Sequence, residues 1–419
     1  MATESTRPAA AAPSTPNYTV PFIIVTGLFL IFGFLTNLNS NLSPKLEDIF
    51  NLNHAWSNLV ATSWFFAYLV FSVPSSKVIE MVGYKRTMVI SLFIMVAGAL
   101  LFVPAAAQVN FPLFLTASFV LASGVCMLQT SANPYVSILG PEHSAPARLT
   151  LAQAFNSLGT AMAPLVVGAF ILTDPGKLQD KVAVAHTVQG PYIAIAITLL
   201  VLAFAIMFMH LPAITMARDA SDAEKDIAQA GRSIWSFKHT VLAMVGIFFY
   251  VGLEIALAAN AIKFFNSQGV SSRDTVALLA SFYPLSMMIG RFAGTVAMKA
   301  IKAEKLLAGL GVLGVVLLLA AMFTTGQVAI WCLILCGVAN SIMYPTIFAL
   351  GIAELGPLTS KGSGVITIGN VGGAVLPPLF GLVADKFNYQ AAFLIPILGY
   401  LFVVYYGISG YKPEHDLAA

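Results

Sequence analysis

Charge is what this chain has least of. Asp, Glu, Lys and Arg make up 9% of its 419 residues, against about 25% in a soluble globular domain, which excludes a water-facing fold as the main body of the molecule. Cysteine is also scarce. Cys126, Cys332 and Cys336 all lie in apolar runs, and although Cys332 and Cys336 share a helix face, no histidine or further cysteine accompanies them. Neither a disulfide nor a metal site is expected. The histidines, His54, His143, His186, His210, His239 and His415, fall at the ends of apolar runs or outside them, excluding a central histidine proton relay. Lys/Arg-rich runs are missing too and the net charge of +3 is dispersed, so nucleic acid is excluded as a partner. The apolar runs carry no nucleophile with a base, no paired acids and no metal cluster, so the chain reads as no enzyme and no cofactor is expected.

What it has instead is apolar length, with 58% hydrophobic residues. Twelve runs reach the roughly 20 residues that a helix needs to cross a bilayer: 20–43, 56–79, 86–107, 111–139, 149–172, 190–211, 239–265, 275–299, 304–324, 328–355, 361–384 and 389–409. Lipid cannot satisfy open sheet edges, so the fold class is all-α, a polytopic membrane protein. The expected organisation is a disordered cytoplasmic tail over 1–19, six helices over 20–212, a linker over 213–238, six helices over 239–410 and a tail over 411–419. Residues 2–17 are rich in Ala, Pro, Ser and Thr and lack a signal-peptide pattern. With both termini placed inside, fifteen of the 21 Lys and Arg residues fall on the cytoplasmic side and six on the other. That bias sets the orientation in a plasma or bacterial inner membrane.

The halves repeat one another. Asn156, Gly159 and Pro164 recur at identical spacing as Asn370, Gly373 and Pro378; Gln129, Pro134 and Gly140 recur as Asn340, Pro345 and Gly351; Gly27, Phe29 and Gly33 recur as Gly246, Phe248 and Gly252. Six spans per repeat keep both halves in the same orientation, the logic of the major facilitator fold, with substrate at the midplane between rocking halves.

Amides in hydrocarbon need partners or a wet cavity. Asn37, Ser40 and Asn41 share a face of the first span, Gln129 and Asn133 of the fourth, Gln153 and Asn156 of the fifth, Asn340 and Tyr344 of the tenth, and Thr367 and Asn370 of the eleventh. Each amide alone is as well read as glue between helices. As a set they suit a ligand dense in hydroxyls, such as a neutral sugar, whose apolar face Tyr250, Tyr283 or Tyr344 could cover. Glu254 is the only acid deep in a span, where a charge costs about 2.5 to 3.5 kcal/mol, making it a functional candidate beside the alternative of a neutral, hydrogen-bonded residue.

The runs FGFLTNLN (32–39), QTSANP (129–134), LGPE (139–142), RLTLAQAFNSLG (148–159), NSIMYPTIFALG (340–351) and VGGA (371–374) with Pro377 and Pro378 resemble the fucose:proton symporter family of the major facilitator superfamily. The resemblance spans the whole membrane domain. It implies transport of hexoses and deoxyhexoses (glucose, galactose, mannose or fucose) coupled to protons or, in some members, sodium, and it makes Asn37, Gln153 and Asn156 sugar-binding residues. The proton-coupled members have Asp where this chain has Ser40 and Glu where it has Gln129, so both titratable coupling positions are replaced.

Sodium needs a cage of oxygens and no titrating group, so the amide and hydroxyl supply ranks sodium ahead of a proton carried by Glu254, with uniport third. Coupling is assigned to Glu254, Ser40 and Asn41, and sugar binding to Asn37, Gln129, Asn133, Gln153, Asn156, Tyr283, Asn340, Tyr344 and Asn370. Arg86, in the Gly83-Tyr84-Lys85-Arg86 turn, and Arg291, placed with Gly290 at the matching turn of the second half, are gate candidates beside the plainer reading that such basic residues only set topology. A monomer in the bilayer is expected. A sugar sensor that binds without turnover is the alternative to a transporter.

Overall fold

Apolar runs that must satisfy their own backbone in lipid become helices, and helices account for nearly all the regular structure. A computed structural model describes residues 18–50, 54–170, 181–209, 211, 231–270 and 272–413, with side chains other than those at 38–61, 164–188, 273, 274 and 277. The tail calls at 1–17 and 414–419, most of the 213–238 linker, and the side chains of Ser40 and Asn41 lie outside the described residues.

The first half contains α1 (Thr19–Phe50), α2 (His54–Val82), α3 (Tyr84–Ala107), α4 (Phe111–Ile138), α5 (Ala145–Phe170) and α6 (Lys181–Phe208). The second contains α7 (Lys238–Ser267), α8 (Arg273–Ala297), α9 (Ala303–Phe323), α10 (Gln327–Gly351), α11 (Gly356–Lys386) and α12 (Tyr389–Gly410). Among the described residues ten helices are long and apolar enough to cross a membrane unaided. The ends are set locally. Asn110 caps α4 by accepting from the Leu113 N–H at 3.0 Å, and Asn388 caps α12 by accepting from Ala391 at 2.7 Å. Gly83, at φ 82°, makes the tight turn between α2 and α3 that a side chain would strain. The tenth span, expected to run to residue 355, is helical only to Gly351, and Glu354 beyond it sits in the left-handed region at φ 58°.

Within the first half α1 packs on α5, α2 on α4, and α3 on α4 and α6; within the second α7 packs on α11, α8 on α10, and α9 on α10 and α12. The repeated Asn-Gly-Pro pattern thus lies on the helix that closes against the first helix of its own half. Contact there is intimate: a Cβ at Gly33 would strike the Asn156 carbonyl, and one at Gly159 the Leu30 carbonyl. In the second half Gly369 and Gly372 meet the backbone of α7, at Met244 and Phe248, and Gly372 stands one position before the Gly373 that the sequence repeat pairs with Gly159. Gly373 faces the Phe65 ring of the other half instead.

The halves meet through α5 against α8 and α10, and through α11 against α2 and α4. The polar crossings lie toward one face of the bundle, the face that bears the α2–α3 and α10–α11 turns, Lys85, Arg86, Lys299, Lys302, Lys305 and Lys361. We call it the basic face.

Candidate functional site

A proline inside a helix has no N–H, so the carbonyl four residues earlier loses its partner. Three such carbonyls lie at the interhelix contacts, and each is taken up by a polar side chain. Pro134 frees Thr130, whose carbonyl accepts from Ser363 Oγ of the opposite half at 2.7 Å. Pro345 frees Ser341, which accepts from Arg291 Nε at 3.2 Å, and Pro164 frees Thr160, which accepts from Asn37 Nδ2 at 2.7 Å. The repeat-related Pro134 and Pro345 therefore create acceptors as well as bends.

The amides divide into two groups. Some are already engaged, most of them between helices. Asn37 reaches Thr160; Asn156 Nδ2 donates to the Phe29 carbonyl at 3.0 Å; Asn370 Nδ2 donates to Thr367 within α11 at 2.9 Å. Asn340 is used at both ends, donating to Tyr283 Oη at 2.7 Å and accepting from Tyr400 Oη at 2.8 Å. Others keep free capacity in buried positions. Gln129 Oε1 and Asn133 Oδ1 are buried without a hydrogen-bond partner, an arrangement that costs about 1 to 3 kcal/mol per group unless something else supplies the bond, while Tyr250 Oη has Glu254 within reach.

These atoms lie around the seam between halves. Asn133 Nδ2 donates to Tyr344 Oη across it at 3.3 Å. The Tyr344 ring lies 6.1 Å from Tyr250 and stacks at 14° on Phe348, so aromatic rings pack beside the unpaired polar atoms. Gln153 is buried, and its carbonyl rather than its side chain takes the bond from Arg291 at 3.1 Å. What this set can do chemically is accept hydrogen bonds from a neutral, hydroxyl-bearing ligand and lie flat against its apolar face.

Arg291 differs from its expected place at a turn. The turn lies beyond Ala297, and Arg291 is an interior residue of α8, 7% exposed. Its guanidinium spans the two halves, bonding Ser341 on its own side and both the Gln153 carbonyl and Ser157 Oγ of α5 on the other. Beside it Phe155 and Phe292 meet edge to face at 5.9 Å. Helical register explains the depth: six residues separate Arg291 from the end of α8, about 9 Å of rise. Glu254 is partly buried one turn beyond Tyr250 on α7, within electrostatic reach of Tyr250, Tyr283 and Arg291.

At the basic face, Arg86 is exposed while Lys85 donates to the carbonyls of Met207 and Met209 at 2.9 and 2.7 Å, tying α3 to the end of α6. The bonds that cross the halves there belong to residues that composition and spacing do not single out. Lys361 Nζ stands 3.8 Å from Glu80, Ser360 Oγ donates to Glu80 at 3.3 Å, and the Glu354 N–H donates to Glu142 at 3.2 Å. The one sequence signal for Glu80 is its place one turn before Gly83; its partners are set by tertiary packing alone.

The Major Facilitator Superfamily family model matches residues 24–369. A glucose/galactose transporter of Brucella abortus is 39% identical over 402 residues, covering 95% of this chain and 96% of that protein. The L-fucose-proton symporter of Escherichia coli is 32% identical, covering 92% of each chain. A crystal structure of a major facilitator transporter, FucP, in the outward conformation superposes with a TM-score of 0.83 at 32% identity, covering 93% of this chain and 98% of that one. The bundle and its seam are those of a multi-pass membrane transporter, not an enzyme. The chain belongs to the Major Facilitator Superfamily, in the family of its fucose:proton symporters.

Proposed function

We propose that this protein imports a hexose by alternating access in symport with a cation. The observation that carries the reading is the pair of buried, unpaired acceptors on Gln129 and Asn133 beside the Tyr344 and Phe348 rings. A sugar hydroxyl supplies the donors those atoms lack. The relatives' names support the substrate class, with glucose or galactose put first because the more similar of the two named relatives carries them. Gln153 is assigned to the same site. Asn37, Asn156, Tyr283 and Asn340 act mainly by holding that site's helices, since their amides or hydroxyl are already engaged; Asn370 bonds within α11.

The cation is a proton carried by Glu254. The residue-based ranking of sodium first counted on free amide oxygens around Glu254, and support for it has weakened. Asn340 Oδ1 already accepts from Tyr400, and of the two relatives named above the one that specifies an ion is a proton symporter. A lone carboxylate suffices for a proton. Arg291 and the Glu80, Ser360 and Lys361 contacts form the gate at the basic face, which the positive-inside rule makes cytoplasmic along with both termini. Crossings clustered at that face, and the likeness to a transporter in the outward conformation, support an outward-facing state.

The test is uptake of labelled glucose, galactose, mannose and fucose into proteoliposomes under separately imposed pH and sodium gradients. Accumulation driven by the pH gradient supports the proposal; accumulation only with sodium returns the coupling to the first ranking; binding without any uptake makes the protein a sensor.

A further inference from the structure

Away from the seam, a groove of about 580 Å³ opens between α3 and the end of α6. Val82, Val89, Ile90, Phe93 and Met207 form its walls, and Lys85 and Arg86 stand at one end. Ile90, Phe93 and Met207 are exposed, so in a bilayer this surface meets lipid. From Arg86 to Phe93 the helix rises about 10 Å, the distance from a headgroup phosphate into the upper acyl chain region.

The charges at the end of the groove are not compensated from within it. Lys85 is held by the carbonyls of Met207 and Met209, neutral acceptors that fix its ammonium in place and leave its charge and a third N–H. Arg86 is exposed, and no acid among the described residues lines the groove. The nearest carboxylate in sequence, Glu80, is taken by Lys361 and Ser360 on the other half. A purely apolar groove would accept any lipid tail. Two cations at its polar end, Lys85 held in place and Arg86 exposed, select a headgroup with net negative charge, because basic side chains at the membrane surface attract anionic lipid by about 1 kcal/mol each.

We propose that this groove is a binding site for one anionic phospholipid, its phosphate against Lys85 and Arg86 and one acyl chain along Val89, Ile90 and Phe93. The lipid would bridge α3 and α6, adding to the tie that Lys85 already makes. The assignment to the inner leaflet rests on the cytoplasmic orientation of the basic face; the headgroup preference does not.

Native mass spectrometry of the full chain in neutral detergent, with phosphatidylglycerol or phosphatidylcholine added at equal concentration, tests it. Phosphatidylglycerol should be retained selectively, as one molecule per chain. Arg86→Gln should weaken that retention by about fivefold, the share of one surface cation, and Ile90→Trp, which fills the groove without touching charge, should also weaken it. A thermal melt of each variant without added lipid confirms that both fold. Equal retention of the two lipids overturns the proposal, since the groove then holds bulk lipid only. So does unchanged phosphatidylglycerol retention in Ile90→Trp, which would leave the phosphate on an ordinary charged surface.

Discussion

Ser363 and Thr130 join the two halves through a bond that a third residue makes possible. Ser363 Oγ donates at 2.7 Å to a carbonyl left unpaired by Pro134. Residues of one half thus latch onto a defect built into a helix of the other. The carbonyl has no helical partner to lose, so the latch can release without breaking helical hydrogen bonds.

Ser363→Ala should shift the population away from the state closed at the basic face by about fivefold, the worth of a hydrogen bond of ~1 kcal/mol. Pro134→Ala restores an N–H to the Thr130 carbonyl, so the same Ser363→Ala change made on that background should shift the population much less. Distances between spin labels on the α2–α3 turn and the start of α11 would report both. Identical shifts on both backgrounds would disprove the link between Pro134 and the latch.

Arg291→Gln removes a guanidinium that bonds Ser341, Gln153 and Ser157 at once. Net transport should fall by at least about tenfold while equilibrium sugar affinity changes by less than about threefold, because the lost bonds join the halves and do not face the sugar. Uptake rates and binding by tryptophan fluorescence or calorimetry separate the two. A parallel loss of both would move Arg291 into the sugar site.

The two groups of amides should respond differently. Gln129→Ala and Gln153→Ala should weaken hexose binding by about 1 to 3 kcal/mol, the cost of leaving sugar hydroxyls unpaired, with little change in melting temperature. Asn37→Ala and Asn340→Ala should do the reverse, lowering the melting temperature, since each strips a bond between helices. Binding and thermal melts on the same four purified variants decide it, and a pattern that does not divide this way would refute the partition.

Much of this architecture is readable in the residues. Twelve spans, the pairing of Asn156 with Asn370 and the two-half arrangement follow from apolar length and spacing. Proline position carries information of the same kind: Pro134, Pro164 and Pro345, each inside a long apolar helix, mark Thr130, Thr160 and Ser341 as acceptors by chemistry alone. What the residues do not disclose is which donors answer. Ser363 for Thr130 and Asn37 for Thr160 are choices of tertiary packing, and the second gives Asn37, expected as a sugar ligand, a bond between α1 and α5. Arg291 is readable as the deepest basic residue, toward the end of the eighth span, but how far it stands from the turn is not, for a related reason. Its distance from the next turn is a matter of helix register and of where α8 ends, and basic residues usually end up at the water boundary. The single-residue offset between Gly159 and Gly372 is of the same kind, since a repeat in sequence fixes which helices pair but not the register at which their backbones touch.

The central claim is sugar import driven by a cation through Glu254, and Glu254→Gln tests it most directly. The measurement is labelled glucose or galactose in proteoliposomes, with wild type and variant compared for accumulation under an imposed pH gradient and for exchange without one. Exchange needs only binding and rocking, whereas accumulation needs the titrating carboxylate. The account predicts that the variant exchanges sugar at a rate near that of wild type and accumulates none against its gradient. Undiminished pH-driven accumulation in Glu254→Gln would contradict it.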